Sequence, residues 1–174
     1  MTPLIHKRST PRRLGADLDA VAALSRNELL GVAVARGCHH YAPFVAPEFV
    51  ADRPELSHEV LGCALLRGPA DLDTFQCIRV AAMVLSDEAC SSTTVAAAAA
   101  ELGVESRLAH IARVALAAGD RPGYWRKVLE ALPSPIEANE AEFLPGVSRF
   151  RLETGKSGPG MGAAWIWLRT HYAQ

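Results

Sequence analysis

The chain has 174 residues, a length that suits one domain able to bury roughly two-thirds of the surface of its unfolded form. Hydrophobic residues make up 49% and charged residues 21%, which is typical of a globular protein and excludes disorder along most of the length. The net charge of −1 excludes a whole-molecule attraction to nucleic acid or anionic lipid, so that such binding needs a local patch.

Residues 1–16 are predicted to form a basic, flexible arm. They contain lysine and arginine but no acidic residue, and they lack the continuous apolar stretch of a secretory signal. No apolar run in the chain approaches the ~20 residues that span a bilayer. We therefore expect a cytoplasmic protein with no membrane segment, whose cysteines are reduced and buried. The cysteines are Cys38, Cys63, Cys77 and Cys90.

A helical domain is predicted over residues 17–146. Its first helix begins at Asp17, where apolar residues fall at helical spacing. Ser25 and Glu28 then form a capping-box pattern, which starts a second helix that ends at Gly37.

An internal repeat is predicted within this domain. Residues 26–37 recur 31 positions later as residues 57–68, with six of twelve positions identical. Periods of this size indicate helical repeat architectures, although an Ala/Leu/Gly-rich chain also produces such similarity by composition. Gly31 and Gly62 occupy the same place in each copy, where glycine disfavours a helix, so we expect close approach of another backbone there. The glycine that ends each copy is predicted to be left-handed.

Further helices are predicted after a proline-broken loop over residues 38–55, which leaves room for one short turn. Each combines an apolar face with a start or stop signal, and with the earlier two they make seven or eight helices. The predicted spans run from an N-cap at Asp73 to Ser86, from Thr94 to Leu102, from Glu105 to Gly119, around Trp125 to Leu132, and from Glu137 to Leu144.

The C-terminal residues 147–174 are predicted to form a β-hairpin packed on the helices. Ser148–Thr154 alternates polar and apolar residues, as a half-buried strand does, and Ala163–Leu168 is its predicted partner. The glycine-rich residues 155–162 connect them. A final helix over residues 163–172 is the competing interpretation. The fold class is therefore mainly α, an array or bundle with two pseudo-equivalent units.

Cys38, His39 and His40 form the densest group of potential metal ligands or nucleophiles, with His58 as a further member. Adjacent residues point in different directions, and the zinc pattern that begins at His58 lacks its second histidine. No cofactor is therefore predicted, and no metal ligand is assigned. Because no catalytic motif is complete, the sequence favours a protein that is not an enzyme.

A helix-turn-helix-like segment is predicted at residues 94–115. Arg107, His110 and Arg113 recur every three residues on its second helix, an arrangement that suits contact with phosphates and base edges. Acidic residues beside the turn and the lack of overall positive charge weigh against this use.

Three hypotheses for function remain. The favoured one is a non-catalytic protein-interaction or regulatory module that binds a protein partner or associates with itself, because repeated helical units leave an extended surface. The alternatives are a nucleic-acid-binding protein that uses residues 94–115 and an enzyme or metal-site protein built on the His/Cys cluster.

Overall fold

The computed structural model describes residues 11–69, 72–117, 119 and 121–133. These residues contain seven α-helices and no strand, which confirms the predicted, mainly helical class for this part of the chain. The predicted helix Glu137–Leu144 and the predicted hairpin of residues 147–174 lie outside the described residues. The helices are α1 (Pro11–Ala22), α2 (Arg26–Ala35), α3 (His58–Leu65), α4 (Leu72–Leu85), α5 (Ser92–Leu102), α6 (Glu105–Ala117) and α7 (Pro122–Ala131).

Helix α1 begins at Pro11 rather than at Asp17 and therefore takes in part of the segment expected to be an arm. Proline is well tolerated in the first turn of a helix, where its missing N–H has no intrahelical partner to lose. Leu14 and Leu18 pack against the core together with the buried Val21, so the apolar face of α1 begins one turn earlier than predicted.

The starts of α2 and α3 follow local capping signals. Ser25 precedes α2, and its side chain and that of Glu28 exchange hydrogen bonds with each other's backbone N–H, which confirms the predicted capping box. Ser57 caps α3 by a single hydrogen bond, which its side chain accepts from the backbone N–H of Val60.

The two copies of the proposed repeat end alike but have different surroundings. Gly37 and Gly68 both have positive φ, 117° and 110°. A Cβ added at Gly31 would lie 1.8 Å from the carbonyl oxygen of Phe49, whereas one added at Gly62 would meet the side chain of Leu85 at 2.5 Å. The expected backbone approach is thus present at Gly31, while at Gly62 the neighbour is a side chain. Internal duplication stays a prediction.

Helix α3 lies at the centre of the described fold. It contacts α1, α2, α4 and α5, and each of its residues from Glu59 to Leu65 is buried. Helix α7 packs against both α5 and α6 and places Trp125 in the core with no exposed surface. Cys38, Cys63, Cys77 and Cys90 are all buried free thiols, as expected.

Two later helices begin before their predicted starts. Helix α4 begins at Leu72, so Asp73 lies inside its first turn and the prediction of Asp73 as an N-cap is wrong. Helix α5 begins at Ser92 with Ser91 as its N-cap, since the Ser91 hydroxyl accepts the backbone N–H of Thr94. No helix within the described ranges combines the length and the apolar character needed to cross a membrane.

Candidate functional site

The predicted His/Cys cluster is only partly within the described side chains. Cys38 is buried beside the end of α2, and burial raises the pKa of its thiol to about 11, so it is protonated at neutral pH. His58 is the first residue of α3 and is partly exposed. The side chains of His39 and His40 lie outside those described. Among the described side chains, no three His, Cys, Asp or Glu residues are placed to hold a metal ion.

A buried carboxylate joins the central helix to the start of α5. Glu59 is 5% exposed, and its Oε1 accepts a hydrogen bond of 2.9 Å from the backbone N–H of Ser91. One turn further along both helices, the thiol of Cys63 lies 3.5 Å from the carbonyl oxygen of Val95. Because the two contacts occur in the same order on each chain segment, α3 and α5 run side by side in the same direction here.

The thiols near Glu59 are electrostatically unsuited to nucleophilic chemistry. Burial, and after it the negative charge of Glu59, raises the pKa of both Cys63 and Cys90. The thiolate is the reactive form of cysteine, and catalytic cysteines lie where its pKa is lowered. These two side chains therefore act as small core residues, and the Cys90 thiol donates to the carbonyl of Val84 at 3.6 Å.

Arg121, which immediately precedes α7, and Tyr124 within α7 bind backbone carbonyls at and after the end of α4. The Arg121 guanidinium donates to the carbonyl oxygens of Ser86 at 3.0 Å and Asp87 at 2.8 Å, and it stacks 4.1 Å from the centre of the Tyr124 ring. The Tyr124 hydroxyl donates to the carbonyl of Leu85 at 3.0 Å. The Tyr124 hydroxyl satisfies a carbonyl that the end of α4 leaves without an intrahelical partner, and Arg121 binds the two carbonyls that follow the helix.

Arg121 holds this position in an unfavourable backbone conformation. Its φ of 37° and ψ of 56° are left-handed, a region that non-glycine residues rarely adopt, and the next residue is Pro122. Burial raises the pKa of the Tyr124 hydroxyl, which stays a neutral donor as a result. The cluster is thus a helix-end junction whose polar groups bind backbone atoms.

The three residues of the predicted basic stripe on α6 are exposed to different extents. Arg107 is partly buried and donates through Nη1 to the carbonyl oxygen of Leu66, at the end of α3. His110 is partly buried, and Arg113 is exposed. Gly103, with φ of 66°, joins α5 to α6 in a tight turn, as predicted. At least Arg107 therefore has a structural contact within the domain.

The loop between α2 and α3 presents an exposed apolar surface, which we call the Phe44 surface. Phe44 is 65% exposed and Val50 is 37% exposed, although Val45 between them is buried in the core. Two short 3₁₀ helices, His39–Phe44 and Pro47–Phe49, form this part of the loop. The exposed apolar residues of the surface are Ala42, Pro43, Phe44, Ala46, Pro47 and Val50.

The loop that carries the Phe44 surface is fixed to α2 and to its C-cap residue at two places, both on the C-terminal side of Phe44. The carbonyl of Phe49 lies directly on Gly31, where any side chain would collide with it. Further along, Arg36 donates to Asp52 Oδ1 at 2.8 Å and to the carbonyl oxygens of Arg53 at 2.7 Å and Leu56 at 2.8 Å. The Arg36 side chain is only 13% exposed, so its three hydrogen bonds form a partly buried clamp.

Neither the Arg36 clamp nor the exposure of Phe44 is predicted by the sequence. Pro43 and Pro47 restrict the backbone on either side of Phe44, but whether its side chain is buried depends on residues far away in the chain. Comparison with models of known protein families, with curated proteins and with solved structures finds no match.

Proposed function

We propose that this protein is a non-catalytic interaction module that binds another polypeptide through the Phe44 surface. The observation that carries the proposal is a large aromatic side chain held 65% exposed on a loop that is fixed to the helical core. Apolar residues scattered singly are ordinary on protein surfaces, but here six exposed apolar residues fall within nine positions of one loop, and clustered exposure of this kind marks interaction sites.

The fixed loop favours binding for an energetic reason. A flexible loop loses conformational entropy when a partner orders it, whereas a loop already held by Gly31 and Arg36 loses less. Aromatic residues at the centre of an interface also provide much of the binding energy. Phe44 is therefore the proposed anchor of the interface.

The described interior supports a non-catalytic role. The carboxylate of Glu59 accepts the backbone N–H of Ser91 at the start of α5, and the thiols of Cys63 and Cys90 have raised pKa values. These three groups thus contribute to packing between helices.

Photo-cross-linking tests the proposal directly. Phe44 is replaced by p-benzoylphenylalanine, and the full chain is irradiated in an extract of its cells of origin; the same replacement at the exposed Glu88 is the control. We expect an adduct with another protein, or with a second copy of the chain, only from position 44. A monomeric protein that gives no adduct at this position refutes the proposal.

A second candidate function is nucleic-acid binding by residues 94–115. The tight turn at Gly103 and the exposed Arg113 on α6 favour it, while the contact of Arg107 with α3 weighs against it. The test is binding of duplex DNA at low salt, which Arg113→Ala is expected to weaken more than Lys127→Ala on α7. Absence of binding at low salt rejects this candidate.

A further inference from the structure

We infer that the Phe44 surface binds a basic polypeptide segment that carries an apolar side chain. This inference rests on the proposed function and adds the chemistry of the partner. The apolar side chain would pack on Phe44 and its neighbours, and lysine or arginine residues beside it would meet the carboxylates around the surface.

The carboxylates of the loop face outward. Glu48, between the two apolar halves of the surface, is exposed. The side chains of Asp52 and Glu55, which follow Val50, are 54% and 55% exposed. Three acidic groups are therefore available to solvent along the same loop that displays Phe44.

The guanidinium groups of this region are less exposed than Asp52 and Glu55. The Arg36 side chain is 13% exposed, and its hydrogen bond lowers the pKa of Asp52, which therefore stays charged near neutral pH. Arg53 is 40% exposed and is shared between Glu28 at 3.5 Å and Glu55 at 4.0 Å.

The surroundings of the Phe44 surface are therefore acidic. Residues 42–56 and the two side chains that pair with them, Glu28 and Arg36, contain two guanidinium groups and four carboxylates, a formal charge of −2 with histidine taken as neutral. The four carboxylates belong to Glu28, Glu48, Asp52 and Glu55.

This distribution of charge selects between partners of equal apolar character. An acidic segment placed on the Phe44 surface would bring like charges close to Glu48, which lies within it, whereas a basic segment gains from this carboxylate. Charges at the rim of an interface act chiefly on partner choice and association rate, and the buried aromatic contact provides most of the affinity.

Selection from a displayed library of random peptides on the immobilised full chain tests the inference. We expect the enriched peptides to combine lysine or arginine with an aromatic or aliphatic residue. Their affinity should fall at least about tenfold on Phe44→Ser. It should fall about twofold to fivefold on Glu48→Gln, and it should decrease with rising salt.

Matched variants separate the possible outcomes. Glu88→Gln removes the same charge from the exposed turn after α4 and should leave the affinity unchanged, and Val50→Ser repeats the apolar test within the loop. Acidic or uncharged peptides that depend on Phe44 would overturn the inference but leave the proposed function standing. If no peptide depends on Phe44 or Val50, both are refuted.

Discussion

The carboxylate of Glu59 accepts the backbone N–H of Ser91, the residue that caps α5, from a position 32 residues earlier in the chain. The same arrangement occurs at α3, where Oδ2 of the buried Asp17 accepts the backbone N–H of its N-cap Ser57 at 3.1 Å. A helix start leaves backbone donors without intrahelical acceptors, and a negative charge there is favourable. Buried carboxylates thus join α1 to α3 and α3 to α5.

Two replacements of Glu59 are expected to destabilise the fold to different degrees. Glu59→Gln keeps an acceptor for Ser91 but removes the charge, and a loss of about 1 kcal/mol is expected in the free energy of unfolding. Glu59→Ala leaves the N–H without its acceptor and creates a cavity, so a loss of about 3 kcal/mol is expected. Urea unfolding measures both, with the exposed Glu101→Gln as the control. Equal stabilities of the wild type and both variants would show that the contact is energetically unimportant.

Gly31→Ala is expected to destabilise the protein despite the higher helix propensity of alanine. The added Cβ would lie 1.8 Å from the carbonyl oxygen of Phe49, and backbone has to move to accommodate it. We expect a net loss of about 2 kcal/mol, which thermal unfolding detects. Gly15→Ala in α1 is the control, because a Cβ there meets nothing within 4 Å and should raise stability by up to about 1 kcal/mol. A Gly31→Ala protein as stable as the control variant contradicts the close contact.

Two replacements of Arg121 separate its backbone strain from its contacts. Arg121→Ala and Arg121→Gly both remove the hydrogen bonds to Ser86 and Asp87, but only glycine adopts a φ of 37° without strain. We expect both variants to be less stable than the wild type and the glycine variant to exceed the alanine variant by about 1 kcal/mol. Denaturant titration compares all three. An alanine variant at least as stable as the glycine variant would rule out the strain.

The stability of the protein is expected to fall as the pH rises from 9 to 11. The ordinary pKa of a cysteine is 9.0, and burial raises that of Cys38 to about 11. Between these values the unfolded chain releases the proton while the folded chain keeps it, so unfolding becomes more favourable with rising pH. A shift of this size corresponds to at most about 3 kcal/mol, and the contribution is complete below pH 9.

Cys38→Ala isolates this contribution. Because Cys63, Cys90 and Tyr124 also have raised pKa values, the variant should still lose stability in alkali, but less steeply than the wild type. Urea unfolding at several pH values between 8 and 11 gives the two slopes. Identical slopes would show that the thiol of Cys38 titrates alike in both states.

Much of the described helical pattern could be predicted from the sequence because its signals are local. The capping box of Ser25 and Glu28 spans a single turn, and Gly103 ends α5 by its own conformational freedom. Such signals depend on residues within a few positions of one another. The start of α4 was wrongly predicted at Asp73 because acidic residues are favoured both as N-caps and within the first turn of a helix. The local sequence does not distinguish these two positions.

The candidate site was decided by the tertiary structure alone. The sequence contains Arg36, Glu59 and Phe44 without indicating that the first clamps a loop, the second caps a distant helix and the third remains exposed. Each role depends on a neighbour far away in the chain. A hydrogen bond between distant residues becomes possible only once packing of the apolar helix faces has brought them together, and residue type alone does not state which groups that packing leaves outside.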